Sequence, residues 1–155
     1  MEQVEVVFGT NQIVFRLGTT EVFARLIDGE FPQYDLVIPK SSETTVDIER
    51  TRFESLVRMA AIFRETELRA VRMTLGGGNL RLDSELANVG SASVSMDVDM
   101  RGPGGQALFN PDYILEFLRV TPAETLRLEF SDENSPGKFV PEEEFLYIVM
   151  PITGA

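Results

Sequence analysis

The chain has 155 residues, with 14 basic and 25 acidic side chains and a formal net charge of −11. It has no cysteine and no histidine, which excludes disulfides and thiolate metal sites and removes the commonest general base and transition-metal ligand. No apolar run approaches the roughly 20 residues of a membrane helix, and the acidic start Met1-Glu2-Gln3-Val4-Glu5 is unlike a secretory leader, so a cytoplasmic location is the default expectation.

In chain order, residues 4–8, 12–17 and 20–27 alternate like strands separated by Gly9-Thr10-Asn11 and Gly18. Three strands in succession predict a meander, which cannot bury its own apolar face alone. Residues 31–43 follow as a connector. Pro32 and Pro39 push their predecessors towards extended geometry, and Phe31, Tyr34, Leu36 and Val37 make the segment too apolar for a free tether. These side chains are expected to lie on a surface.

A second unit then begins. A strand at 45–49 leads into a helix for which Thr51 and Glu54 form a capping box. Phe53, Leu56, Val57, Ala60 and Ala61 define its apolar face, with Ile62 on the opposite side. Residues 70–75 and 80–86 read as a hairpin around Gly76-Gly77-Gly78-Asn79, a turn without the lysine and helix of a phosphate loop. A strand at 91–100, a loop at 101–105 and a short strand at 106–109 follow.

Asn110-Pro111-Asp112 opens a second helix, with Asn110 as cap and Pro111 at the first position. Tyr113, Ile114, Phe117 and Leu118 are predicted to form its buried stripe, and Thr121-Pro122 stops it. Strands at 125–130 and 138–140 precede the terminal run at 145–152, after the acidic run 142–144. That run reads as a strand covered on both sides, broken at Pro151. The order β-α-β-β-β-β-α-β-β-β, with hairpin connections, predicts an α+β fold of two helices on antiparallel sheets. The tail Met150-Pro151-Ile152 is an apolar rim, either filled by the fold or open to a partner.

Chemistry-bearing motifs are sparse. Asp97 and Asp99 would share one strand face, as a Mg²⁺ site or as a solvated sheet surface. No nucleophile motif is present, so the chain reads as a non-enzyme without cofactors. Arg50, Arg52, Arg58, Arg64, Arg69, Arg72 and Arg81 crowd one region of an otherwise acidic chain. They form either a locally basic element or a scatter on a solvated face.

Residues 25–34, Arg-Leu-Ile-Asp-Gly-Glu-Phe-Pro-Gln-Tyr, followed by Val37-Ile38-Pro39, resemble the junction between the second and third domains of the bacterial β sliding clamp. Residues 58–63, Val71-Arg72-Met73, 109–113 and 147–152 match its third domain in order and spacing. The resemblance implies a DNA clamp fold with 1–30 as the end of the second domain, 31–43 as connector and 44–155 as the third domain. It implies a processivity factor, in which head-to-tail subunits encircle duplex DNA and tether the replicative polymerase, the clamp loader and other factors. The peptide groove would use Pro32, Leu36, Val37, Asn110, Tyr113, Ile148, Val149, Met150, Pro151 and Ile152. Ile62 and Phe63 would fall at the subunit interface, and Arg50, Arg52, Arg58 and Arg119 would face DNA. Leu36 stands where the family often has a basic residue, and Ser91, Ser93 and Ser95 where some members are acidic. The first domain and the start of the second are expected to be missing, as in a fragment or a truncated reading frame. A shortened paralogue acting as a peptide-binding adaptor without DNA encirclement is the alternative.

Overall fold

The computed structural model describes residues 3–63, 69–142 and 145–153, Glu142 in its backbone only. The chain divides into two compact units, Met1–Gln33 and Tyr34–Ala155.

The first unit is an antiparallel sheet of β1 (Glu5–Phe8), β2 (Gln12–Leu17) and β3 (Thr20–Arg25). Its register puts Glu5, Arg16 and Glu21 in one row, and Arg16 bridges both carboxylates at 3.4 and 2.7 Å. The other face carries Val6, Phe8, Ile13, Phe15, Leu17 and Val22, all but Ile13 exposed. That is the face the sequence predicts a meander cannot cover.

The second unit has two antiparallel sheets. One has five strands in the order β12-β11-β10-β4-β8; the other has four, in the order β7-β6-β5-β9. The first sheet is built from β4 (Thr44–Glu49), β8 (Asp99–Arg101), β10 (Thr125–Phe130), β11 (Gly137–Glu142) and β12 (Phe145–Val149). The second is built from β5 (Val71–Gly76), β6 (Asn79–Leu86), β7 (Gly90–Asp97) and β9 (Gly105–Phe109). Strict alternation decides the inner faces. Val46 and Ile48, Leu126 and Leu128, Met73 and Leu75, and Leu80 and Leu82 all point into one core. Helices α1 (Arg50–Ala60) and α2 (Pro111–Val120) pack side by side and against the sheets, adding Phe53, Leu56, Val57, Ile114, Phe117 and Leu118 to that core.

Several sequence expectations change in detail. Helix α1 is capped by Glu49, not Thr51: its two carboxylate oxygens accept from the N–H groups of Thr51 and Arg52 at 2.8 and 3.1 Å. A charged acceptor satisfies two orphan donors at once and starts the helix two residues earlier, at Arg50. Glu54 then ion-pairs with Arg50 and Arg58 instead of closing a capping box. The strand expected at 91–100 is two strands. β7 ends at Asp97, Val98 donates to Gly78 O at 2.9 Å, and β8 joins the other sheet. One backbone therefore crosses between the sheets at Val98, and Asp97 and Asp99 do not share a sheet face.

The connector is not extended throughout. Tyr34–Leu36 forms a 3-10 turn, with Val37 and Ile38 both donating to Tyr34 O. Pro32 and Pro39 constrain only their immediate neighbours, which leaves this centre free to turn. The loop at 101–105 turns back on the fold at Gly102 and Gly104, whose φ values are 105° and 80°. Both lie against backbone, Gly102 on Glu43–Thr44 and Gly104 on Leu75, where no side chain fits.

Candidate functional site

The terminal strand β12 is the edge of the five-stranded sheet, paired only with β11. The expectation of a strand covered on both sides therefore fails: Phe145 and Leu146 are exposed, Tyr147 and Ile148 half-buried, and only Val149 is fully buried. Pairing stops before Pro151, as its missing N–H requires. The tail then alternates, with Met150 55% exposed, Pro151 buried and Ile152 half-buried. Ile152 donates to Leu108 O of β9 at 2.8 Å, so the tail also meets the edge of the second sheet.

The N-terminus of α2 lies beside this edge. Asn110 Oδ1 accepts from Asp112 N–H at 2.9 Å and Pro111 fills the first turn, as the sequence predicts. Tyr113, expected in the buried stripe, is instead 53% exposed. Phe117, one turn on, takes the core position, and Tyr113 in the first turn lies beyond the rim of the core. Tyr147 joins strand to helix. Its ring stacks on Phe117 at 4.8 Å and 12°, and its hydroxyl donates to Tyr113 O at 3.1 Å. Burial, then the nearby Glu116 carboxylate and Tyr113, push the Tyr147 pKa up, so the hydroxyl remains a donor at neutral pH. Tyr147 escaped the sequence reading of the groove. Its signal was available: it is two residues from Val149 and so shares its face.

The structure thus gathers Asn110, Tyr113 and residues 148–152 around one sheet edge. Tyr113 rises on the helix side, Ile148 faces outward beside Lys138, and Met150 stands at the strand exit. Leu36 and Val37 are 81% and 45% exposed on the 3-10 turn, while Pro32 belongs to the first unit.

The arginines divide by their partners. Arg50 donates to Leu118 O and pairs with Glu54, and Arg58 pairs with Glu54 at 2.6 Å. Arg52 and Arg119 are exposed and make no ion pair among the described residues. Helix α1 carries three arginines against one glutamate and is locally basic in an acidic chain. Arg64 and residues 143–144 lie outside the described residues. Ile62 is 69% exposed past the end of α1, and the Phe63 ring covers Gly90 so closely that a Cβ there would meet it at 2.8 Å. Asp99 lies across from Asp47, and the Arg127 guanidinium holds Asp47 at 3.0 Å. Among the described residues no group of three acidic side chains could hold a metal.

Two helices roofing a pair of antiparallel sheets, with an open apolar edge and no catalytic cluster among the described residues, define a DNA-clamp fold. Residues 35–153 match the family model for the DNA polymerase III beta subunit, C-terminal domain, and the chain belongs to that family. It is 29% identical over 153 residues to the beta sliding clamp of Synechocystis sp., covering 96% of this chain and 39% of that protein. It is 30% identical to the Chlamydia trachomatis clamp over 141 residues, 91% of this chain and 34% of the relative. The crystal structure of the DNA polymerase III subunit beta from Pseudomonas aeruginosa superposes with a TM-score of 0.88 at 27% identity, over 97% of this chain and 42% of that one. Another structure of that clamp, bound to griselimycin, gives 0.84. The chain spans about two fifths of the length of the curated relatives it matches.

Proposed function

We propose that this chain works as the C-terminal part of a sliding clamp. It is a tethering component without catalytic activity, which in an assembled ring surrounds duplex DNA and holds a polymerase and other factors at a peptide groove. Residues 1–30 would then close the second clamp domain, 31–43 connect, and 44–155 form the third. One observation carries the reading. Tyr113 and Met150 leave apolar surface open at the β12 edge beside half-buried Ile148, while Phe117 and Val149 below are packed and the Tyr147 ring stacks on Phe117. A rigid base under a solvent-facing apolar rim suits a short peptide, and the thioether of Met150 adapts to varied guests.

Isothermal titration of griselimycin into this chain tests the groove. We expect saturable binding that Met150→Ala and Tyr113→Ala each weaken about tenfold, roughly 1.4 kcal/mol. Unchanged affinity in both variants would remove the groove from this edge. Leu36 and Val37, exposed on the 3-10 turn, would line its other wall. Arg52 and Arg119, which make no ion pair among the described residues, are the arginines best placed to meet phosphates without reading bases. Ile62, with Phe63 behind it, would supply the apolar subunit contact, so Ile62→Glu should lower any self-association seen by sedimentation.

A further inference from the structure

A second concavity lies just beyond the tail. It is a hollow of about 230 Å³ lined by Arg72, Gln106, Leu108, Glu133, Asn134 and Ile152, among others. Its floor is the outer face of β9, and its near wall is the segment that leaves β12 and bonds to the β9 edge through Ile152 N–H and Leu108 O. Ile152 is two residues, about 7 Å of extended chain, from Met150. A peptide reaching past Met150 by one or two residues therefore arrives here.

The hollow has an unbalanced set of polar groups. Arg72 lies directly across β5–β6 from Asp83, yet Asp83 is occupied: Arg81 Nε donates to one oxygen at 2.9 Å and Ser93 Oγ to the other at 2.6 Å. Arg72 itself makes no hydrogen bond or ion pair among the described residues. The side-chain amides of Gln106 and Asn134 make none either. Among the described residues, Glu133 is the one acidic side chain lining the hollow beside these three, and Asp83 stands across from Arg72 with its charge shared by Arg81. The wall bearing Glu133 and Asn134 is held in place, because Asp132 accepts from Asn134 N–H, Ser135 N–H and the Ser135 hydroxyl at 2.8, 3.0 and 2.9 Å. A guanidinium flanked by amide donors in a fixed concavity matches a carboxylate.

We infer that the hollow is an extension subsite of the docking edge, taking a carboxylate, from an acidic side chain or a peptide C-terminus, that follows the apolar anchor of a bound peptide. This rests on the docking reading above and adds to it a charge preference. An acidic chain repels acidic guests at long range, so the subsite would select register more than strength. Arg72 is exposed, and the gain is expected to be about two- to fivefold.

The test uses fluorescence anisotropy with one labelled apolar-aromatic pentapeptide and four derivatives. Two carry glutamate or glutamine after a diglycine spacer at the C-terminal end, capped as amides. One has a free C-terminal carboxylate in place of the glutamate, and one carries the glutamate at the N-terminal end. We expect a carboxylate-bearing derivative to bind about two- to fivefold tighter than its neutral counterpart, a gain that fades at high salt and vanishes in Arg72→Gln. The derivative that gains tells side chain from terminus. A pentapeptide that binds while no carboxylate adds affinity, or a gain that survives Arg72→Gln, overturns the subsite and leaves the groove standing. No binding of the pentapeptide by a chain that folds normally overturns both.

Discussion

Tyr147 shows how much of the site one side chain carries. Its ring belongs to the core through Phe117 and its hydroxyl to the surface through Tyr113 O. Tyr147→Phe keeps the stack and removes one hydrogen bond, so urea unfolding should show a loss of about 1 kcal/mol or less. Phe117→Ala removes the base of the stack and a fully buried side chain, and should cost about 3–5 kcal/mol. Asp132 sets a pH signature. Its hydrogen bonds from Asn134 N–H and Ser135 hold its carboxyl below the ordinary 3.8. The folded pKa is lowered, so its contribution is present above that ordinary value and lost as pH falls through the folded pKa. The stability difference between the native chain and Asp132→Asn should therefore be constant near neutrality and shrink only in acid. A difference that stays flat down to the acid limit would show that the turn does not depend on this carboxylate. Single-residue placement was the least legible level of the sequence. Tyr113 has the spacing of a buried residue and is exposed, because spacing fixes a direction around the helix but not where the core ends along it.

The two helices and most strand positions were legible because period and caps agree locally. Asn110-Pro111-Asp112 places α2 to the residue, and the Gly77-Gly78 turn, with φ of 59° and 77°, forms the expected hairpin. What escaped depends on partners distant in sequence. Glu49 caps α1 because Arg50 N–H is already given to Glu124 O at 2.9 Å, a contact no local pattern reveals. Glu49→Ala should destabilise the fold by about 1 kcal/mol, whereas Thr51→Ala should be nearly neutral, as measured by chemical unfolding. The reverse order would restore Thr51 as the cap. The split at Val98 was hidden because the alternation runs unbroken through it; only the pairing partners change, β6 for β7 and β4 for β8.

At the scale of the molecule, charge and the proposed function pull in opposite directions. A chain of net charge −11 is a poor partner for DNA unless its cations are grouped, and α1 groups three. If Arg52 and Arg119 meet phosphates, replacing both by alanine should reduce the slope of log affinity against log salt for a random-sequence duplex by about two units, near 0.9 for each contact. An unchanged slope would remove both from the DNA-facing side. The resemblance to the clamp was legible because the junction around residues 25–39 and the tail at 147–152 are contiguous motifs. The hollow at Arg72 was not, since its walls come from four separate segments.

The bond from Ile152 to Leu108 has a mechanical meaning. On one flank the two sheets share a continuous strand; elsewhere this tail stitches the β12 edge of one to the β9 edge of the other. A guest seated along residues 148–152 would therefore brace the seam as well as occupy a surface. Occupancy should be readable without any label, as slower deuterium uptake at Ile152 and a higher melting temperature. Clipping the chain after Pro151 should abolish the rise in melting temperature.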